Sequence, residues 1–169
     1  MVKSNQGRDM KINTVLLDTS FFIRLLNEDD LLHENALDYY RYFLSNNYIL
    51  KCSTISIAEY CIKGTIDELP LNNLQILPFN INHAEKAGLF GSLAFEEKKS
   101  GNINITDRRI IPNDIKLFAQ ADIDETISYF VTSDSACENM YKAIRKNTSV
   151  NFEIMNIRRP YNEQFGVLF

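Results

Sequence analysis

Four acidic residues stand where apolar or helical segments begin or end. Asp18 closes Leu16-Leu17-Asp18-Thr19, and Glu59 lies in Ile57-Ala58-Glu59-Tyr60. Asp114 follows Pro112-Asn113, and Asp134 ends Val131-Thr132-Ser133. In an open α/β sheet, ligands bind outside the carboxyl ends of the strands. Carboxylates gathered there repel one another unless a cation joins them. Hard oxygen donors point to Mg²⁺ or Mn²⁺, and such an ion brings phosphate chemistry with it.

Each acid also has a simpler reading. Asp18 could cap the helix that follows it. Ser56-Ile57-Ala58-Glu59 matches a capping box, in which the glutamate folds back on a backbone amide. Asp114 could face a helix dipole from the first turn. Asp134 could be an N-cap, although Ser135-Ala136-Cys137-Glu138 is itself a capping box and would leave it free. No single acid decides the matter, so the signal is their joint placement. Glu138, one turn after Asp134, could reach a cation through water. Asp107 reads as a loop residue, and Asp29-Asp30 and Asp122 with Asp124 read as solvated faces or turns. His33 and His83 read as surface residues without partners at ligand spacing. There is no Ser-His-Asp or Cys-His arrangement and no phosphate-cradling glycine loop.

The elements that must position these acids alternate. Ile12–Leu17 is a nearly continuous apolar run, as expected of a strand buried on both faces. Helical patterns follow over Thr19–Asn27 and Glu34–Asn46. Tyr48–Cys52 reads as a second strand, Ile55–Lys63 as a helix stopped at Gly64, and Leu74–Phe79 as a third strand. Asn82–Lys98 is the longest helical pattern, and Asn113–Asp122 is another. Thr126–Thr132 is a fourth strand, Ser135–Lys146 a helix and Phe152–Met155 a fifth strand. This alternation implies βαβ units and a mostly parallel sheet. The order of its strands does not follow from the pattern. If strands one and four are neighbours, Asp18 and Asp134 sit side by side at a topological switch point.

A length of 169 residues favours one domain, read here as residues 12–169 behind a frayed polar segment, 1–11. The net charge of −4 does not announce a nucleic-acid binder. A few clustered cations can still supply phosphate contacts. Cys52, Cys61 and Cys137 lack metal-ligand spacing and read as free thiols of a reducing, cytoplasmic setting. No stretch is long and apolar enough for a membrane span, so no membrane partner is expected.

The chain resembles the PIN-domain family, and within it the toxin nucleases of VapC type. Leu17-Asp18-Thr19-Ser20 with Phe22-Ile23 carries the likeness, together with Thr54 to Glu59, Asn113-Asp114 with Ala119 and Ala121, and Thr132-Ser133-Asp134. The resemblance implies a single PIN-like α/β domain with strand order 3-2-1-4-5, flanked by helices. It implies a Mg²⁺- or Mn²⁺-dependent endoribonuclease, usually a homodimer, whose toxin branch is blocked by a small antitoxin protein. Asp18, Glu59, Asp114 and Asp134 would be the catalytic acids and metal ligands, with Ser20, Thr132 and Glu138 in support. The substrate RNA would meet Lys98, Lys99, Arg108, Arg109, Lys142, Arg145 and Lys146. One departure is Ala136, where many members of the family carry a further aspartate. It keeps open an alternative, a catalytically weak RNA- or protein-binding module on the same fold.

Overall fold

The computed structural model describes residues 13–101 and 111–166. The segment 1–11, Asp107, Arg108 and Arg109 lie outside the described residues. The chain runs β1 (Thr14–Leu17), α1 (Thr19–Leu25), α2 (His33–Ser45), β2 (Ile49–Ser53) and α3 (Thr54–Tyr60). Two single 3₁₀ turns, Ile66–Glu68 and Leu71–Asn73, lead into β3 (Leu74–Leu77). Then come α4 (Ile81–Lys99), α5 (Ile111–Ile123), β4 (Ile127–Thr132), α6 (Ser135–Asn147), β5 (Glu153–Asn156) and α7 (Tyr161–Phe165).

The five strands form one sheet in the order β3-β2-β1-β4-β5, and every pairing is parallel. Strand β1 is central and buried along its whole length. Its side chains alternate between two cores, as the period of a strand requires. Val15 and Leu17 pack with Phe21, Phe22, Tyr39 and Phe43 from α1 and α2. Leu16 packs on the other face with Phe90, Phe118 and Met140 from α4, α5 and α6. Two helical layers therefore explain why β1 reads as an unbroken apolar run.

Buried polar contacts fix the helices to the strand ends. The Ser53 hydroxyl accepts from the Ile55 amide (3.0 Å), capping α3, and donates to Gln120 Oε1 (2.6 Å). Gln120 is fully buried, and its amide also donates to the Leu77 carbonyl (3.1 Å). Together these bonds tie α5 to the ends of β2 and β3.

Several local expectations differ from the structure. Ser53, not Ser56, caps α3, so Glu59 falls in the last turn and makes no capping box. That helix ends at Tyr60 instead of reaching Gly64, where the chain turns back against the Tyr60 ring; a Cβ on Gly64 would come within 2.5 Å of it. His83 is buried, because it exchanges capping bonds with Asn80 at the start of α4. Asp122 is buried too, accepting from the Asn151 amide (2.8 Å) and pairing with Lys86 (2.6 Å). Asp30 is held by Arg24 and by the Leu32 amide, and Asp124 by Lys51 at 2.5 Å. Helix α7 was not expected. Pro160 opens it, Gly166 closes it at φ +63°, and Phe165 stacks on Tyr42 at 4.2 Å between ring centres.

Candidate active site

Strands β1 and β4 are neighbours, and the helices that follow them, α1 and α6, pack on opposite faces of the sheet. This is the switch point at which open α/β sheets bind ligands. Asp18 is the first residue past the strand, and its amide donates to the Val131 carbonyl of β4 (2.9 Å). Its Oδ1 accepts from the Thr19 amide (2.7 Å), so it does cap α1. Its Oδ2 accepts from Ser20 Oγ (2.6 Å) and Thr132 Oγ1 (2.9 Å). The same hydroxyls reach onward, since Ser20 Oγ accepts from the Ser133 amide (2.9 Å) and Thr132 Oγ1 from the Asp134 amide (3.0 Å). Ser20 and Thr132 thus tie the carboxyl ends of β1 and β4 together.

The other three acids arrive from separate elements. Glu59, from α3, accepts from Thr19 Oγ1 and from Asn113 Nδ2, each at 2.5 Å. Asp134 caps α6 through its Oδ1 and the Ala136 amide (2.7 Å), so the Ser135 capping box does not displace it. Asp114 lies in the first turn of α5 and is nine-tenths buried, and its Oδ2 has no hydrogen-bond partner. All four line one groove of about 1140 Å³. Its walls carry Ile23, Leu26, Tyr60 and Ile62, and Lys63 is the one cation among the described residues that line it.

The electrostatics follow from this crowding. Burial, then the charges of Asp18, Asp134 and Glu59, push the Asp114 carboxyl up from 3.8 to about 8, against a contact with Cys137 that lowers it. Burial also raises Asp18, though the bonds from Ser20, Thr132 and Thr19 oppose the rise. The Cys137 thiol is pushed well above its usual range, by burial first and then by Asp18, Asp114 and Asp134. Donor atoms of Asp114, Asp134 and Cys137 lie within 4.8 Å of one another. A buried carboxylate oxygen without a donor, facing other acids, suits a divalent cation.

Comparison with solved structures adds the fold. The chain is similar to a chain of VapBC2 from Rickettsia felis, solved bound to a DNA fragment from its promoter. That match has a TM-score of 0.53 and 20% identity and covers 85% of this chain and 98% of the other. It is also similar to a chain of DNA-bound VapBC from Salmonella typhimurium, with a TM-score of 0.55, 15% identity and coverage of 86% and 99%. The chain has a PIN-domain, VapC-like fold. No protein-family model and no curated protein matches the sequence.

In this PIN-like frame, the remaining expected residues are placed less simply. Ser20 lines the groove and Thr132 sits beneath it. Glu138 points to Arg159 (3.7 Å) and does not line the groove. Lys98 and Lys99 end α4, and neither they nor Lys142 line it. Arg145 pairs with Glu153 (2.7 Å) and Lys146 with Glu97 (3.3 Å). Both lie near the far end of α6, up to about 18 Å along the helix from Asp134. Asn113, Thr19 and Lys63 were not among the expected site residues, although Thr19 and Asn113 stand in the motifs that carry the resemblance. Asn113 and Thr19 gave one signal, adjacency to an acid. Among the described residues, no helix is long and apolar enough to cross a membrane.

Proposed function

We propose that this chain is a Mg²⁺- or Mn²⁺-dependent endoribonuclease and the toxin of a toxin–antitoxin pair. The observation that carries the reading is the groove itself, where four carboxylates from four separate elements meet in a PIN-like fold. Asp18, Asp114, Asp134 and Glu59 would hold the cation. When bound, that ion activates water for attack on the phosphodiester and offsets charge on the phosphoryl oxygens.

The protein's own share is positioning. Ser20 and Thr132 fix the rotamer of Asp18, so its carboxylate need not reorganise as charge develops. Thr19 and Asn113 do the same for Glu59 from opposite sides. Lys63 stands in the groove wall where it can meet a phosphate, and Tyr60 offers an aromatic ring beside it. A small antitoxin partner is supported by the likeness to VapBC complexes. A homodimer is supported by α4, which leaves Ile81, Leu89 and Phe95 largely exposed.

The test is Asp18→Asn, assayed on single-stranded RNA with Mg²⁺ or Mn²⁺. Asn caps a helix about as well as Asp, so the fold survives. Cleavage should fall by at least roughly 10²-fold, as expected for loss of a main electrostatic contributor. A mutant that cuts at the wild-type rate would refute the role of Asp18. Ala136 supports one other reading, an RNA- or protein-binding module, because it puts a methyl where a further acid could stand. A wild-type protein that binds RNA without metal-dependent cleavage would favour that module.

A further inference from the structure

Cys137 is the residue in this region that the nuclease reading leaves without a task. It is fully buried, one turn into α6, and three residues after Asp134, so both side chains lie on the same helical face. Asp114 approaches from α5 with its buried Oδ2 unpartnered. We propose that Asp114, Asp134 and Cys137 form a mixed carboxylate–thiolate site that takes a thiophilic divalent cation, Zn²⁺ or Cd²⁺. The proposal rests on the nuclease reading only in having Asp114 and Asp134 face a cation, and it does not need RNA to be cut.

The geometry is within reach of such an ion. The three donor atoms lie within 4.8 Å of one another. Around a tetrahedral zinc, with Zn–S near 2.3 Å and Zn–O near 2.0 Å, donors sit roughly 3.5 Å apart. Side-chain rotations that bring the donors closer by at most about 1.3 Å, from within 4.8 Å to roughly 3.5 Å, would complete the set. The unpartnered Oδ2 of Asp114 gains a partner, and the mutual repulsion of the two acids is offset. Binding breaks the Cys137 S–H bond, the proton leaves to water, and the sulfur lone pair goes to the metal.

Donor chemistry sets the selectivity. All-oxygen sites suit Mg²⁺ and Mn²⁺, whereas a thiolate shifts preference to softer ions. A thiophilic ion held here would occupy two of the four acids. It would therefore exclude the hard cation from the groove and act as an inhibitor that Mg²⁺ in excess displaces poorly.

The experiment is a Cd²⁺ titration with Mg²⁺ in large excess, followed by the thiolate-to-cadmium charge-transfer absorption and by calorimetry. Cys61 is exposed, so the background is Cys61→Ser. One equivalent of Cd²⁺ should bind and the absorption band should saturate with it. Adding Cys137→Ser should abolish the band and weaken Cd²⁺ binding at least tenfold, on the order expected for loss of a soft ligand. Asp114→Asn should weaken binding while leaving the thiol in place, and it serves if Cys137→Ser fails to fold. Absence of the band, or a band and affinity unchanged in both variants, would overturn the proposal. Absence of RNA cleavage in Mg²⁺ before any Cd²⁺ is added, beside a band that forms on titration, would overturn only the nuclease reading.

Discussion

Replacing Asp114 with Asn should stabilise the metal-free protein. In the folded state the carboxyl is raised from 3.8 to about 8, with burial as the main cause. The folded chain therefore holds a proton that the unfolded chain releases, between about pH 4 and pH 8. Stability is greatest below that window and falls as the pH climbs through it. At about 1.4 kcal/mol per pH unit, the cost at pH 7.5 has a ceiling of roughly 5 kcal/mol. Asn does not carry that cost. It buries an amide instead, worth about 1 to 3 kcal/mol when unsatisfied. The Asp134 and Asp18 carboxylates are near enough to couple to this group, and an amide N–H is a better neighbour for them than a carboxylate. A net gain of at most about 2 to 4 kcal/mol raises the Tm by at most about 4 to 16 °C for a chain of this size. The assay is thermal unfolding in EDTA at several pH values from about 5 to about 8. The wild type should lose stability across this range and Asp114→Asn should lose less, its remaining slope coming from Asp18. Added Mn²⁺ should raise the Tm of the wild type by linkage and that of the mutant by less. A mutant that melts at or below the wild-type temperature in EDTA, with an unchanged pH slope, would refute the argument that burial and crowded charge govern Asp114.

Three further predictions concern the cations. Lys63→Ala should weaken RNA binding and lower the salt slope by about one, because Lys63 lines the groove. Arg145→Ala should leave the RNA Kd within about twofold, since Arg145 is paired with Glu153 near the far end of α6. Equal effects of the two changes in a filter-binding or anisotropy assay would move the RNA path away from the groove. Lys86→Met should destabilise the fold by roughly 2 to 4 kcal/mol, because it strips the ion partner from a buried Asp122 that also anchors the Asn151 amide. A denaturant midpoint unchanged by that substitution would show that the amide alone satisfies Asp122.

The sequence by itself determined the alternation of strands and main helices from β1 to β5 and the two-faced burial of β1, because hydrophobic periodicity is a local property. Val15, Leu16 and Leu17 are apolar at successive positions, and only a strand between two layers can hide them all. Asp18 was legible for the same reason, as a carboxylate placed where such a run stops. The adjacency of β1 and β4, 110 residues apart, was not in the periodicity. It came from the resemblance, and the structure bears it out. Partnership was decided only by tertiary structure. His83 and Asp122 have the composition of surface residues, yet Asn80, Lys86 and Asn151 satisfy them in buried places. Asp134 looked either like a cap or like a free acid. In the fold it caps α6 with one oxygen while lining the groove, since a carboxylate has two oxygens and the alternatives were never exclusive. The basic residues were the least legible, because a lysine or arginine reads alike in sequence whether it meets a substrate or a neighbouring glutamate. The fold sends Arg145 to Glu153 and Lys146 to Glu97, and sets Lys63, which no pattern marks, in the groove wall.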